Sequence, residues 1–405
     1  MLKLTLLFCC ISFLGISQGF QVNLQGQVQQ GMGSAGTALM QDASGVFFNP
    51  GGISFLNKSE ITLGVTPTIA KGIFLESKTS ERANTVSPLG TPFSAYGVYK
   101  AKDSSRLALG LGVYTPFGST IEWEENWVGR FALTRLQLMS IYFQPTLSYK
   151  LSERLGLGAG FVYSYGVINL QKDLPLLDQS GTYGRAELAG IGHGFGFNAG
   201  LYFEPTQFLS LGLTYRSQVN MQLKNGTATF TVPSSVEEKF PSGSFTSTLP
   251  LPQVLTLGIG VKPNDKWSIA FDVNYVGWKA YDTLAFDYVT NTESLEDTKS
   301  PREYENIFAF RLGGQYKINQ RLTTRLGIGY AISPIQDGYV TPESPDANRI
   351  NYTFGLGYTI NAHFMVDASF LYTEAYREDT NLETQLSGTF KTRVYAPGVS
   401  ISYKF

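Results

Sequence analysis

Apolar and polar residues alternate with a period of two along much of the chain. In residues 321–333, large apolar or aromatic side chains hold almost every second position, and the positions between hold Gly, Ala, Thr or Arg. Residues 267–275 and 209–216 repeat this pattern. Such alternation is typical of β-strands with one apolar face. The runs extend over about 10–14 residues, and a tilted strand needs roughly 9–11 to cross a bilayer. The alternation therefore predicts membrane-spanning strands rather than the usually shorter strands of a soluble sandwich.

About fourteen segments of this kind occur in the sequence. Their predicted spans are 60–70, 93–101, 106–115, 138–150, 155–168, 192–204, 208–222, 252–263, 267–279, 305–317, 322–333, 349–360, 363–374 and 390–404. Short connections, such as residues 152–154, alternate with long ones, such as residues 223–251. Short turns on one side and long loops on the other are typical of outer-membrane barrels. The predicted fold class is all-β, a transmembrane antiparallel β-barrel of about 14 strands whose closure leaves no strand edge in lipid.

Composition and charge agree with this prediction. The formal net charge is −1, from 31 basic and 32 acidic residues, and no basic block is present. The sequence therefore lacks the basic patch that is typical of nucleic-acid-binding proteins. The chain holds 28 Phe, 23 Tyr and 43 Gly, and only 16% of its residues are charged. This mixture suits many strands with aromatic girdles and tight turns.

Residues 1–19 have the pattern of a secretory signal. Lys3 supplies a positive start, residues 4–16 form an apolar stretch, and residues 17–19 provide a cleavage site of mostly small residues. Both cysteines, Cys9 and Cys10, lie in this leader. Disulfide and thiolate chemistry are therefore not expected in the exported protein. After residue 19 no run of 18 apolar residues occurs, which argues against a transmembrane helix.

Residues 20–56 interrupt the alternation. They are rich in Gly, Ala, Ser and Gln and end in the compact turn formed by Asn49, Pro50, Gly51 and Gly52. Such a segment folds tightly when other structure encloses it, and we expect it to be a hatch, or plug, inside the barrel. The alternative is a flexible tail with an ordinary Asn-Pro turn. The predicted organisation is a signal peptide at 1–19, a hatch at 20–58 and a transmembrane barrel at 59–405.

Several motifs in this order resemble the FadL/TodX-type outer-membrane transporters of hydrophobic compounds. The N-terminal ones are Gly19-Phe20-Gln21, Gln30-Gly31-Met32-Gly33-Ser34-Ala35-Gly36, Asp42-Ala43-Ser44 and Phe47-Phe48-Asn49-Pro50-Gly51-Gly52. Later ones include Tyr114-Thr115-Pro116-Phe117-Gly118, Trp127-Val128-Gly129-Arg130 and Leu213-Thr214-Tyr215-Arg216-Ser217. The family usually has Asn-Pro-Ala where this chain has Asn-Pro-Gly. Each motif is weak, but together they cover nearly the whole mature chain.

The resemblance implies passive, ligand-gated uptake of hydrophobic molecules, most simply long-chain fatty acids. It assigns the gate to Asn49, Pro50 and Gly51. It also implies a lateral exit through the barrel wall at a kink in the third strand, where Gly110 and Gly112 lie on the predicted inner face. The alternative for these two glycines is tight contact between wall and plug. No cofactor and no metal site is implied.

Apolar side chains in the predicted loops are candidates for an outer ligand-binding groove, since residues in exposed loops have no core to cover. The alternative is that they pack on one another as a cap, and both can coexist. These candidates are Phe117, Ile121, Trp123, Trp127, Phe131, Leu133, Leu174, Leu176 and Leu177.

A ligand carboxylate inside the protein would need a basic partner, because a buried charge must be paired. The sequence offers Arg130, Lys172 and Arg311 as candidates, although most arginines in barrels line the wet lumen or pair with acids. An uncharged hydrocarbon would require none of them.

Other functional classes find less support. The two histidines, His193 and His363, lie at the ends of different predicted strands without a catalytic motif, so an enzyme is not expected. An outer-membrane scaffold or secretion-associated barrel that docks protein partners is the alternative function, and a soluble lectin-like sandwich is a third. The expected partners are a hydrophobic small molecule, outer-membrane lipid and, through the terminal aromatic Phe405, the barrel-assembly machinery. The expected location is the outer membrane of a Gram-negative-type bacterium.

Overall fold

The computed structural model describes residues 19–405, so the predicted leader lies outside the described residues except for Gly19. The described part of the chain consists mostly of strands. The strands are β1 Glu60–Val65, β2 Ile69–Glu76, β3 Arg82–Asn84, β4 Phe93–Tyr99, β5 Leu107–Glu122, β6 Arg135–Lys150, β7 Leu155–Leu177, β8 Tyr183–Phe203, β9 Leu209–Arg216, β10 Val219–Thr231, β11 Gly243–Leu251, β12 Val254–Val261, β13 Trp267–Val276, β14 Thr283–Tyr288, β15 Thr298–Pro301, β16 Ile307–Lys317, β17 Leu322–Ala331, β18 Arg349–Thr359, β19 Phe364–Thr380 and β20 Ser387–Lys404. Two short α-helices, α1 Gln27–Gln30 and α2 Gly45–Phe48, precede them. Three 3-10 helices span Pro50–Phe55, Ser234–Lys239 and Trp278–Ala280.

The strands form one closed antiparallel barrel. β20 pairs with β19 on one side and with β1 and β2 on the other, which joins the end of the sheet to its beginning. Three places around the wall are each occupied by two successive strands instead of one: β1 and β2, β9 and β10, and β11 and β12. The two strands of each set pair with the same neighbouring place, so each set counts as one position in the wall. β3 and β14 pair with the ends of β2 and β11, and β15 pairs with β14, so these three strands add no position of their own and the wall has fourteen. The predicted fourteen-stranded barrel is confirmed.

The alternation predicted from the sequence places side chains on the expected faces. In β5, Leu109 is 48% exposed on the outside, whereas Ala108 is fully buried on the inside. In β17, Leu326 is 65% exposed and its neighbour Arg325 only 4%. The barrel therefore has an apolar outer surface and a polar or small-residue lumen, as a wall in lipid requires. In the described residues no helix is long and apolar enough to cross a membrane.

Several strands extend further toward the long-loop end than predicted. β5 runs to Glu122, β7 runs to Leu177 and β8 begins at Tyr183, and these extensions pair with one another or with β6. These extensions carry polar residues on the face that is apolar lower in the wall, so a prediction that relied on an apolar outer face missed them. The prediction that six candidate residues lie in loops was wrong, because all six lie in β5 or β7: Phe117, Ile121, Lys172, Leu174, Leu176 and Leu177.

Three wall positions also differ from their predicted form. The predicted strand 60–70 is divided between β1 and β2, and β2 extends to Glu76. The predicted strand 208–222 is interrupted at Ser217 and Gln218, between β9 and β10. The predicted loop 223–251 contains most of β10 and all of β11, which pair with each other above the break. The alternation of β10 shifts at Lys224 and Asn225, which are both exposed, and exposed polar residues replace the expected apolar face.

Residues 20–56, here called the inner segment, lie inside the barrel. Almost all of residues 25–56 are buried, including polar side chains such as Gln27, Gln30 and Asn49. From Gln27 onward, the segment is bound to the wall by hydrogen bonds that begin at β19 and β20, pass through β18, β13 and β9, and end at β8 and β6. These join Gln27 to Ser369, Gln30 to the Ala396 carbonyl, Gly33 to Thr353, Thr37 to Asp272, the Ala38 carbonyl to Ser210, Asn49 to the Leu201 carbonyl and the Gly51 carbonyl to Ser148. The inner segment thus runs around the lumen in the direction opposite to the strand order.

Candidate functional site

The predicted gate residues form a compact turn against the wall. The Asn49 amide donates to the Thr37 carbonyl at 2.8 Å and to the Leu201 carbonyl at 2.9 Å. Its side-chain oxygen accepts from the Gly51 amide at 3.0 Å and so caps the 3-10 helix that starts at Pro50. Asn49 therefore ties the inner segment to itself and to β8.

Glycines in the wall make room for this turn. A Cβ on Gly158 of β7 would lie 2.3 Å from the Pro50 carbonyl oxygen, and one on Gly156 would lie 2.4 Å from that of Gly51. On β8, a Cβ on Gly200 would lie 2.3 Å from the Asn49 side-chain oxygen. The turn at Asn49–Gly51 thus rests on β7 and β8, away from the third wall strand.

Gly110 and Gly112, predicted to line a lateral exit, lie in a regular part of β5. Both are paired on each side, with Val98 and Thr146 for Gly110 and with Tyr96 and Gln144 for Gly112. A Cβ on Gly110 would lie 2.7 Å from Val46 and 2.9 Å from Ile53 of the inner segment. The contact between wall and plug is therefore tight at Gly110, and the exit at these glycines stays a prediction.

The irregular part of β5 comes just after these glycines. The pairing register with β6 shifts between Tyr114 and Phe117, and β4 pairs with β5 no further than Tyr114. Over this stretch the inner segment takes the place of β4: the Val22 amide donates to the Pro116 carbonyl at 2.8 Å, and the Gly118 amide donates to the Phe20 carbonyl at 3.0 Å. The start of the inner segment thus acts as a short additional strand that closes the wall beside the bulge.

Phe20 holds this additional strand in place. Its ring lies 4.8 Å from that of Trp278, 5.5 Å from that of Tyr281 and 6.2 Å from that of Phe117, all edge-to-face. Next to it, the Gly19 amide donates to Asp346 at 2.8 Å. Asp346 lies in the long connection between β17 and β18, and burial raises the pKa of its carboxyl to about 7. The long loops therefore anchor the start of the inner segment.

Among the groove candidates, the two tryptophans are buried. Trp123 and Trp127 stack with ring centroids 4.4 Å apart, are 3% and 2% exposed, and pack with Leu133, Phe74 and Phe390. Their indole nitrogens donate to the carbonyls of Pro342 and Leu133. These two residues form part of a cap under the loops, which was the alternative interpretation.

Other candidates reach the surface. Phe131 is 36% exposed and lies edge-to-face on Tyr183, with the Arg130 guanidinium 4.8 Å from the Phe131 ring. Leu177 is 55% exposed at the end of β7, and Leu174 is partly buried. Arg130 donates to the carbonyls of Asn126 and Trp127. Neither Arg130 nor Lys172 lines the internal cavity described next.

A cavity lies between the inner segment and the wall. It is narrow and partly open to solvent, and the room it leaves for water-sized molecules is about 40 Å³. The inner segment contributes one side and β8, β9, β12, β13 and β16 the other. The lining residues are Gln21, Asn23, Thr37, Phe47, Phe48, Asn198, Thr214, Tyr215, Arg216, Val254, Thr256, Asn274 and Arg311. Of the sequence-predicted basic candidates, Arg311 lines this cavity, where it donates to the Ser34 carbonyl and the Asn23 side chain.

Arg216 is the functional candidate that the sequence analysis missed. Its guanidinium donates to the Tyr114 hydroxyl, the Gln144 amide oxygen and the Phe47 carbonyl, and it lies 4.3 Å from the centre of the Phe47 ring. In the described part of the chain, none of its hydrogen bonds goes to a carboxylate. The sequence signal was present in the motif at residues 213–217, but nothing in it separates a lumen arginine from any other.

The comparisons with known proteins agree with this architecture. Residues 8–405 match the family model described as outer membrane protein transport protein (OMPP1/FadL/TodX). An outer-membrane protein of Neisseria meningitidis serogroup B is 27% identical, with 100% of this chain and 99% of that one covered. The long-chain fatty acid transport protein of Escherichia coli O6:H1 is 23% identical, with coverage of 98% and 96%.

A solved structure shares the fold. The crystal structure of a Pseudomonas aeruginosa FadL homologue superimposes with a TM-score of 0.83, at 20% identity, over 96% of this chain and 100% of that chain. Family members are outer-membrane transporters of hydrophobic compounds rather than enzymes, in agreement with the sequence analysis. The apolar outer wall, the closed barrel and the match over nearly the whole length lead to one conclusion: the chain belongs to the FadL/TodX family of outer-membrane transport proteins.

Proposed function

We propose that this protein takes up long-chain fatty acids or closely similar amphiphiles, and that the carboxylate is bound by Arg216 inside the barrel. The observation that carries the proposal is the unpaired cation: Arg216 lines the cavity without a carboxylate partner among the described residues. A cation in a partly buried site is costly unless an anion accompanies it. Phe47, Phe48 and Val254 line the same cavity and offer apolar surface to the start of an alkyl chain.

The route follows from where the inner segment closes the wall. Residues 20–22 cover the edge of β5 beside the bulge at Thr115 and Pro116. Arg216 also holds the Phe47 carbonyl, so a carboxylate that attracts the guanidinium would weaken its bond to the inner segment. Movement of the inner segment would uncover the β5 edge and open a path from the lumen into the membrane. Gly110 and Gly112, just below the bulge, would border this path. Transport is passive, and net flux depends on removal of the ligand after it has left the barrel.

The test measures palmitate binding to the purified protein and palmitate uptake by cells that lack their own outer-membrane fatty-acid transporter. Arg216→Gln removes the cation, Arg216→Lys keeps the charge, and Arg321→Gln removes an exposed arginine from a short turn. Hydrogen bonds to charged groups contribute about 1.5–3 kcal/mol. We therefore expect Arg216→Gln to weaken palmitate binding by roughly 10- to 100-fold, Arg216→Lys to restore part of it, and Arg321→Gln to change nothing.

Methyl palmitate separates headgroup binding from a structural effect of the substitution. The ester has the same chain and no charge, so Arg216→Gln should affect it much less than palmitate. Equal losses for both ligands would show that Arg216 supports the structure of the site rather than binding the headgroup. Absence of palmitate binding and uptake in the wild-type protein would refute the proposed function.

A further inference from the structure

The cavity at Arg216 contains polar atoms that the protein leaves without partners. Asn198 on β8 is 2% exposed, and neither its amide nitrogen nor its amide oxygen makes a hydrogen bond. Asn274 on β13 is 5% exposed and donates to Thr256, but its oxygen is unpaired. The Gln21 side-chain oxygen is also buried and unpaired. All three residues line the cavity. Leaving a buried polar group unpaired costs about 1–3 kcal/mol, so these groups indicate a site built for a polar ligand.

The kind of polar group follows from the count of donors and acceptors. Asn198 offers one amide nitrogen, whereas Asn198, Asn274 and Gln21 together offer three free oxygens. A carboxylate accepts hydrogen bonds and cannot donate them, so it would satisfy the nitrogen of Asn198 and leave the three oxygens unpaired. A hydroxyl both donates and accepts. A hydroxyl beside the carboxylate would therefore satisfy one of the three oxygens that the carboxylate cannot.

The geometry places Asn198 next to the proposed carboxylate position. Asn198 and Arg216 face each other as direct partners in the pairing of β8 with β9. A Cβ added to Gly160 would lie 2.5 Å from the Asn198 side-chain oxygen and 3.1 Å from the Gln144 side chain, so Asn198 and Gln144 are near neighbours. Gln144 in turn accepts a hydrogen bond from Arg216. One end of a ligand can thus contact Arg216 and Asn198 together, with Asn274 and Gln21 further along the cavity.

We propose that the cavity selects fatty acids that carry a hydroxyl near the carboxylate, and that Asn198 is the specificity-determining residue. This inference rests on the proposed function, because it uses the carboxylate position at Arg216. In the complex, the carboxylate accepts hydrogen bonds from Arg216 and the Asn198 nitrogen. The hydroxyl donates to the Asn198 oxygen.

The experiment compares ligands that differ only in the hydroxyl. Binding of palmitate to the wild-type protein is measured beside binding of its hydroxylated forms, with the hydroxyl on the second, the third or the last carbon. A gained hydrogen bond corresponds to a several-fold change in affinity, so we expect the second- or third-carbon form to bind about tenfold more tightly than palmitate. The terminal hydroxyl, with the same composition, should give no gain because it lies far from Asn198.

The matched variants are Asn198→Leu and Asn225→Leu. Because Asn198 makes no hydrogen bond within the protein, its replacement by an apolar residue of similar size is not expected to unfold the barrel. Asn198→Leu should abolish the preference for the hydroxylated ligand. Asn225 is exposed on β10, so Asn225→Leu should retain it.

The outcomes separate this inference from the proposed function. Equal affinity for palmitate and all hydroxylated forms would show that the free oxygens are hydrated by water, which would overturn the inference and leave fatty-acid uptake standing. A hydroxyl preference that persists in Asn198→Leu would also overturn the role of Asn198. Failure of the wild-type protein to bind any of these acids would refute the proposed function itself.

Discussion

At the scale of single residues, polar side chains hold the inner segment by meeting backbone groups of the wall. Gln30 donates to the Ala396 carbonyl and Asn49 to that of Leu201, and in the opposite direction Gln144 of the wall donates to the Val46 carbonyl of the inner segment. Each bond satisfies a group that would otherwise be buried without a partner. The sequence showed that the segment is rich in Gln, Ser and Gly, and this composition indicated an enclosed segment. It did not show which wall residue each would meet, since those partners lie up to 366 positions away.

Lys100 gives a test at this scale. Its ammonium group donates to the carbonyls of Leu56 at 2.7 Å and Ser54 at 3.2 Å, where the inner segment ends. Burial lowers the pKa of this lysine, and its two carbonyl partners offset the cost of burial. Lys100→Met removes both bonds, each worth about 1.5–3 kcal/mol. We expect hydrogen exchange in residues 50–57 to become faster while exchange in the barrel wall is unchanged.

The matched control is Lys102→Met, because Lys102 is exposed in the same turn. It should leave exchange in residues 50–57 as in the wild type. If Lys100→Met had no effect there either, Lys100 would not hold the end of the inner segment.

At the scale of elements, β5 decides how the wall is closed. Alternation predicted a strand at 106–115, and that part is regular. The bulge that follows contains Pro116, which has no amide hydrogen to pair and is confined to edges and bulges in sheets. Pro116 was therefore a readable signal for the irregularity, and the sequence analysis used Gly110 and Gly112 instead. The pairing of the inner segment with this bulge could not be predicted from the sequence, because neither of the two short stretches that pair there has strong alternation.

A disulfide tests whether this pairing must open. Gln21 and Phe117 face each other across the pairing of the inner segment with β5. The bonds from Val22 to Pro116 and from Gly118 to Phe20 flank them, so they form a non-hydrogen-bonded pair with closely spaced Cα atoms. The described residues contain no cysteine, so the double variant Gln21→Cys with Phe117→Cys would form its bond without competition. We expect the oxidised form to lose palmitate uptake and the reduced form to regain it.

The single variant Phe117→Cys controls for the loss of the aromatic ring from the Phe20 and Trp278 contacts. Its uptake should not depend on the oxidation state. Full uptake by the oxidised double variant, with the disulfide verified by mass spectrometry, would place the exit elsewhere in the wall.

At the scale of the whole molecule, wall and inner segment are complementary over most of the barrel's circumference. Four wall strands, β7, β12, β17 and β18, each present a glycine to the inner segment. A Cβ on any of these glycines would lie 2.0–3.0 Å from an atom of the inner segment; they are Gly158, Gly260, Gly327 and Gly355. Glycine in a strand marks a bend or close backbone approach, and for Gly110 and Gly112 the sequence analysis gave such contact as the alternative. The fourteen strands follow from local alternation and were predictable. The path of the segment depends on the register of the whole wall, which no local pattern contains.

This complementarity predicts that one added methyl group will displace the inner segment without disrupting the barrel. A Cβ on Gly158 would lie 2.3 Å from the Pro50 carbonyl oxygen, and both are backbone-bound, so neither can move alone. Overpacking of this kind costs roughly 1–3 kcal/mol. Since the wall is held by its own strand pairing, Gly158→Ala should keep the detergent-resistant folded form and raise ion conductance in planar bilayers, because the lumen becomes less completely filled.

Gly97→Ala on β4 is the control, since no atom lies within 4 Å of its added Cβ. It tests whether the effect comes from alanine in a strand or from contact with the inner segment, and it should conduct like the wild type. Protease digestion provides a second measurement: residues 20–56 should be cleaved in Gly158→Ala and protected in Gly97→Ala. Wild-type conductance and protection in Gly158→Ala would mean that the wall yields to the methyl group. In that case the position of the inner segment is not set by the wall glycines, and the contacts that set it are the hydrogen bonds that Asn49 and Lys100 donate and the one that Asp272 accepts.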